Sequence, residues 1–77
     1  MSDAADTIIA KIPKNSREEL RVTLGAFKGH NLLHLRAWIT ESETPTKNGF
    51  GIQATLIPRL REALQEAEAE GKRRGWL

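Results

Sequence analysis

The stretch Glu18–Ile39, "EELRVTLGAFKGHNLLHLRAWI", restricts the fold more than any other part of the chain. Leu20, Val22, Leu24 and Ala26 alternate with Glu19, Arg21, Thr23, Gly25 and Phe27, the period of two expected of a strand with one buried face. Lys28-Gly29 then supplies a turn, and a second alternation follows. Leu33, Leu35, Ala37 and Ile39 share one parity there, with Leu32, His34, Arg36 and Trp38 on the other. The two strands thus present one aliphatic face. The opposite face displays Arg21, Thr23, Phe27, His34, Arg36 and Trp38, with Lys28 and His30 on its rim at the turn.

The flanks complete a simple plan. "TIIAKI" (7–12) is a short β-prone run, stopped by Pro13 and the turn-like "PKNS". "TESETPTKNG" reads as a polar loop and "FGIQ" as a short fourth strand. From about residue 55 the period changes, and Leu56, Leu60, Ala63, Leu64 and Ala67 fall at helical spacing, with Glu62, Glu66, Glu68 and Glu70 toward water. Pro58 fits the first turn, where its missing N–H has no intrahelical partner. Gly71 is placed to end the helix. The predicted class is α+β: a four-stranded antiparallel sheet followed by one C-terminal α-helix that covers the aliphatic face. Residues 1–6 are expected to be disordered, 7–71 to form one domain, and "KRRGWL" (72–77) to be a basic tail.

A chain of 77 residues supports one thin core, and folding alone is marginal at that size. The absence of cysteine removes disulfides and thiolate zinc sites, and two His without a carboxylate cluster argue against a structural metal or any cofactor. A second copy is the cheapest remaining source of buried surface, so a homodimer is expected. No apolar run approaches membrane-spanning length, and "MSDAAD" lacks the features of a signal peptide. The expected location is cytoplasmic and nucleoid-associated in a bacterium, nuclear in a eukaryote. The net charge of +2 is unevenly spread: −2 over residues 1–10, +3 over 11–53, −2 over 54–71 and +3 over 72–77.

Rings set among cations on a half-exposed sheet suit single-stranded nucleic acid. Unpaired bases stack on aromatic faces at about 1–3 kcal/mol each while Lys and Arg hold phosphates. Each residue also has an ordinary structural reading. Trp38 can pack under a loop or a partner, Phe27 can plug the edge of the core, and His30 and His34 can be solvated. Lys28, Lys47 and Arg21 can be surface charges. Arg36 fits that reading least, being mid-strand between Leu35 and Ala37 without an obvious acidic partner. An enzyme is not expected: no nucleophile stands beside a base, no Gly-rich phosphate loop exists, and Glu41 and Glu43 are merely two carboxylates on a loop. The alternatives are a protein-interaction module using the Phe27/Trp38 face, or an RNA-binding protein.

"IPKNSREELRVTLGAFKGHNLLHLRAW" followed by "PTKNGFGIQATLIPRL" resembles the transcriptional positive cofactor four family of coactivators, over about Ile12 to Leu64. The resemblance implies a curved four-stranded antiparallel sheet and a helix, dimerising through helices and sheet edges, here at Leu56, Leu60 and Leu64. It further implies channels that bind single-stranded DNA with little sequence preference, in transcription regulation or in replication and repair. RNA polymerase or other transcription proteins are candidate partners. Phe27 and Lys28 match the family's aromatic-Lys-Gly turn, Arg36 its basic residue in the third strand, and Trp38 or Ile39 its aromatic pair. Lys47 belongs to the basic turn before the last strand, where Asn48 replaces a second Lys. His30 likewise stands where Lys is common. These departures remove charge and imply weaker binding with a flatter salt dependence. The serine-rich extension of eukaryotic members is absent, which favours a bacterial or phage protein.

Overall fold

In the computed structural model, which describes residues 6–77, the two alternating runs form β2 (Glu18–Phe27) and β3 (His30–Ile39). They pair antiparallel over their full length, from Glu18 opposite Ile39 to Phe27 opposite His30. The connecting residues Lys28 and Gly29 both take positive φ, 52° and 81°. That is the turn geometry whose twist matches two flanking strands, and Lys28 adopts it despite its Cβ. Strand β1 (Thr7–Pro13) borders β2, and β4 (Thr44–Gln53) borders β3, in the order β1-β2-β3-β4. Between β1 and β2, Asn15 Oδ1 accepts the N–H groups of Arg17 and Glu18, both at 2.8 Å, closing the "PKNS" turn. The expected sheet is therefore present. The expected disorder of residues 1–6 falls, apart from Asp6, outside the described residues.

Two irregularities shape the edges. In β1 the register shifts between Ile8 and Ala10, so Ile9 has no partner. In β4 the strand starts at Thr44, inside the segment expected to be loop, which shrinks to Thr40–Glu43. Thr44 and Pro45 pair with Ile39 and Trp38, and Pro45 is tolerated because β4 is an edge strand. Pairing resumes at Arg36–Gly49, leaving residues 46–48 against Ala37 alone. Thr46 closes this bulge, its hydroxyl donating to Ala37 O at 2.8 Å.

A 3-10 turn (Ala54–Leu56) leads into α1 (Ile57–Arg73), with Pro58 in the first turn as expected. Its composition, rich in Ala, Leu, Glu, Gln, Lys and Arg, favours helix with little help from packing. The helix does not stop at Gly71. It runs on to Arg73 and closes at Gly75, whose φ is 78°. Trp76 N–H donates to Gly71 O at 2.8 Å and Gly75 N–H to Lys72 O at 3.1 Å, a Schellman cap. Gly71 is instead a buried contact, because Leu77 folds back to within 3.2 Å of where its Cβ would stand.

The helix also fails to cover the aliphatic face. Ile57, Leu60 and Leu64 form one wall of an open apolar groove whose other wall includes Ile9, Val22 and Leu33. Every residue from Arg61 to Ala69 is exposed. Only Leu33 and Ala37 are buried apolar residues among those described, while Ile9, Ile12, Phe50, Leu56 and Leu64 remain about half exposed. The aliphatic face is thus built but not closed within one chain.

Gly49 allows the closest backbone approach in the sheet. A Cβ there would lie 2.7 Å from both Leu35 O and Arg36 Cβ. Gly49→Ala is expected to destabilise the fold by about 1–3 kcal/mol through overpacking, read as a lower urea midpoint. An unchanged midpoint would show that the bulge yields freely.

Candidate nucleic-acid interface

The β2–β3 register sets Thr23 opposite His34, Arg21 opposite Arg36 and Glu19 opposite Trp38 on the face away from the aliphatic residues. β1 extends this surface with Lys11 opposite Arg21 and Ile8 opposite Thr23. β4 adds Pro45 beside Trp38, then Gly49 opposite Arg36 and Gly51 opposite His34. The two glycines leave the edge strand bare, and His34 fills the space over Gly51, with Nδ1 2.9 Å from the position of a Cβ. The result is a shallow groove of about 400 Å³ bounded by Thr23, His34, Arg36, Trp38 and Pro45. Past His34 it continues along Gly25 and Leu32 toward Phe27.

Two Arg directly opposite each other on adjacent strands repel, so each needs compensation. Arg21 is only 6% exposed. Its Nε donates to Glu19 Oε2 at 2.5 Å, and its Nη2 lies 3.6 Å from Glu43 Oε1. Its guanidinium carbon sits 4.1 Å from the centre of the Trp38 ring, a cation–π stack. Arg36 is held differently, with Nη1 donating to Thr46 O at 2.7 Å. Its remaining N–H groups make no hydrogen bond to a described residue. The sequence suggested a displayed cation at position 21. The structure places Arg21 on the expected face but uses it as a packed, charge-balanced support beneath one face of Trp38.

The open side chains lie toward the hairpin tip. Phe27 is 62% exposed, and Lys28 Nζ stands 5.3 Å from its ring centre. His30, paired with Phe27 across the strands, is exposed as well. Lys47 is exposed in the β4 bulge. Asn48 is turned to the other side of the sheet, lining the aliphatic face beside Ile12, Leu20 and Phe50. The structure brings Thr23, His34, Arg36 and Trp38 together with Phe27, Lys28 and His30 along one strip, and leaves Asn48 off it.

Lys11 and Asp6 are residues that sequence reasoning missed. Lys11 is exposed and in register with Arg21, completing a row of three basic residues across β1, β2 and β3. The irregularity at Ile9 breaks simple alternation in "TIIAKI", so parity did not mark Lys11. Asp6 lies against Gly25, its Oδ1 only 1.9 Å from the position of a Cβ there. Glycine at 25 is what admits this carboxylate to the groove floor. Among the described residues, no group of three metal-ligating side chains occurs.

A strip of this kind offers ring faces for stacking and guanidinium or ammonium groups for anions. The family model for the transcriptional coactivator p15 (PC4) matches residues 14–63, from the turn before β2 into the second turn of α1. The chain belongs to this family. A crystal structure of a PC4 homolog from Burkholderia pseudomallei has the same fold, with a TM-score of 0.78 over 92% of this chain and 100% of that one, at 20% identity. No curated protein matches the chain. PC4 membership makes this a domain of a DNA-binding coactivator family. The PC4 match includes every groove residue of β2, β3 and β4 but excludes Lys11 and the C-terminal end of the helix.

The buried cation and the exposed ring are expected to respond differently to truncation. Arg21→Ala leaves Glu19 half-buried without its donor and removes the support under Trp38, at a cost of about 1–3 kcal/mol in urea unfolding. Phe27→Ala should leave the midpoint within about 0.5 kcal/mol of the parent, as an exposed surface position does. Equal midpoints for the two variants would remove the distinction between support and surface.

Proposed function

We propose that this chain is a homodimeric, non-catalytic single-stranded-DNA-binding protein with little sequence preference, serving transcription regulation or replication and repair. The carrying observation is the strip on one sheet face, where the β2–β3 pairing aligns Thr23 with His34, sets Arg36 and Trp38 beyond it, and ends at Phe27 and His30 beside the Lys28 turn. Phe27 has an open ring, and Trp38 offers what Arg21 leaves uncovered. Arg36 and Lys28 are the cations available to phosphates, with Lys11 and Lys47 at the margins. A single strand can use both kinds of group, because its bases are free to leave their own stack. A duplex hides its base faces and would leave the rings idle. Membership of a DNA-binding coactivator family supports the same reading.

The dimer is supported by the other side of the sheet. Ile9 and Leu64 are half-exposed in a groove that the chain's own helix only borders, Ile12 and Phe50 in a second groove on the same face, and Leu56 in the 3-10 turn before the helix. Completing the burial of such a half-exposed side chain contributes about 0.7–1.5 kcal/mol, so an open cluster of this size favours a second copy. Leu56, Leu60 and Leu64 are assigned to that contact.

Three measurements test this reading. Phe27→Ala should weaken binding of a labelled oligo-dT by about 5- to 150-fold, the value of one base–aromatic stack. Arg36→Ala should lower the slope of log affinity against log salt by about 0.7, the loss of one single-strand phosphate contact. Parental affinity in a folded Phe27→Ala/Arg36→Ala double variant would refute the site. Sedimentation equilibrium should return twice the chain mass, and a mass near 8.6 kDa at micromolar concentration would refute the dimer.

A further inference from the structure

The C-terminal end of α1 lies beyond the segment matched to the family, and the groove has no use for it. Its chemistry reverses that of the helix it terminates. The exposed Glu62, Glu66 and Glu68 give way to Lys72, Arg73 and Arg74, followed by Trp76 and Leu77. This end is built, not loose. The two hydrogen bonds of the Schellman cap and the positive φ of Gly75 set the direction of the chain after Arg74. Leu77 then packs back on Gly71.

With the backbone held, Trp76 stands 72% exposed. The Arg74 guanidinium carbon lies 5.0 Å from its ring centre, so one face carries a cation. Glu70 accepts from Arg73 and Arg74 and fixes both side chains. Hydrogen bonds from Arg74 and Arg73 hold its carboxyl below the ordinary carboxylate value, so it stays ionised as their anchor. Lys72 has no ion pair with a described residue. Over residues 70–77, three basic side chains against the one acidic side chain of Glu70 leave this end positive. An exposed indole with an arginine fixed on one face is half of a stacking sandwich.

We propose that the Lys72–Leu77 end is a second contact site for single-stranded nucleic acid, with a base stacking on the free face of Trp76 and Lys72 and Arg74 taking phosphates. The proposal rests on the reading of the sheet groove as a single-strand site. It extends that site from one face of the sheet to a second hold at the end of a helix about 25 Å long. A protein partner is the competing occupant, and the choice of substitutions separates the two. A base needs a π-face, whereas an apolar protein contact accepts any bulky hydrophobe.

The test is fluorescence anisotropy with the full chain and a labelled oligo-dT long enough to reach both sites. Trp76→Ala and Trp76→Leu should each weaken binding about 5- to 150-fold, the loss of one base stack. Trp76→Phe should recover most of it. Lys72→Ala should lower the salt slope by about 0.7. Thermal melts should match the parent, because the cap uses the backbone of Trp76 and not its ring. Binding by all four variants equal to the parent at every salt concentration overturns this second site and leaves the groove standing. Parental binding by Trp76→Leu alongside weakened Trp76→Ala also overturns it, in favour of an apolar docking surface. Failure of the parent to bind overturns the groove reading and this proposal together; should Trp76→Ala lower the melt, Trp76→Leu and Lys72→Ala carry the comparison, and parental affinity and salt slope in both overturn the second site.

Discussion

The pairing of β2 with β3 decides what every other element can do. A shift of one residue would exchange the two faces of one strand, placing Leu33, Leu35 and Ala37 beside Arg21 and Thr23. Both faces would then be mixtures, neither able to form a core nor to present a continuous polar strip. The Lys28-Gly29 turn guards against this by fixing the number of residues between the strands, at the cost of a lysine in the left-handed region. From that register follow the aliphatic face around Leu33 and Ala37 and the ring-and-cation face around Arg36 and Trp38.

Concentrating cations on one sheet face creates an electrostatic debt within the fold, and the structure meets it selectively. Arg21 is removed from water and given two carboxylates and an aromatic face. Arg36 receives one backbone carbonyl and keeps donors free. Neutralising both would have left the cations only at the margins, at Lys11 and Lys28. Neutralising neither would have left two unscreened guanidinium groups opposite each other. Asp6 adds a third carboxylate near the strip, over Gly25. The proposed anion-binding capacity therefore rests on fewer residues than the count of basic side chains suggests.

The order of strands, the hairpin and its turn, the helix and its Pro58 entry were all legible in the sequence, because each depends on local periodicity or turn chemistry. What was not legible depends on contacts across the sheet. "TESETPTKNG" is rich in loop-forming residues, yet its last six residues fall in an edge strand because Thr44 and Pro45 meet Ile39 and Trp38. Position 21 falls on the face its parity predicts, but its burial comes from Glu19 and the Trp38 ring around its guanidinium, with Glu43, 22 residues away in a turn, as a more distant partner. Asn48, expected beside Lys47 from the family resemblance, lines the aliphatic face instead, in the bulge opposite Ala37. Gly71 looked like a stop signal, and only the fold-back of Leu77 shows it to be a packing contact. The family resemblance, carried by residues 12–38 and 45–60, agrees with the matched segment 14–63.

The detached helix gives the two sheet faces a physical connection. Because α1 only borders the aliphatic face, the packing of β2 and β3 is incomplete in one chain, and the strip on their other face rides on a sheet with two buried apolar residues among those described. Covering Ile9, Phe50 and Leu64 with a second copy would stiffen the same strands that carry Arg36, Trp38 and Phe27. Rigid strands hold stacking rings at lower entropic cost than mobile ones. In the proposed assembly, then, dimerisation does more than place two grooves side by side. It supplies the core on which each groove is built, so that loss of the apolar contact weakens strand binding without touching a single residue of the groove.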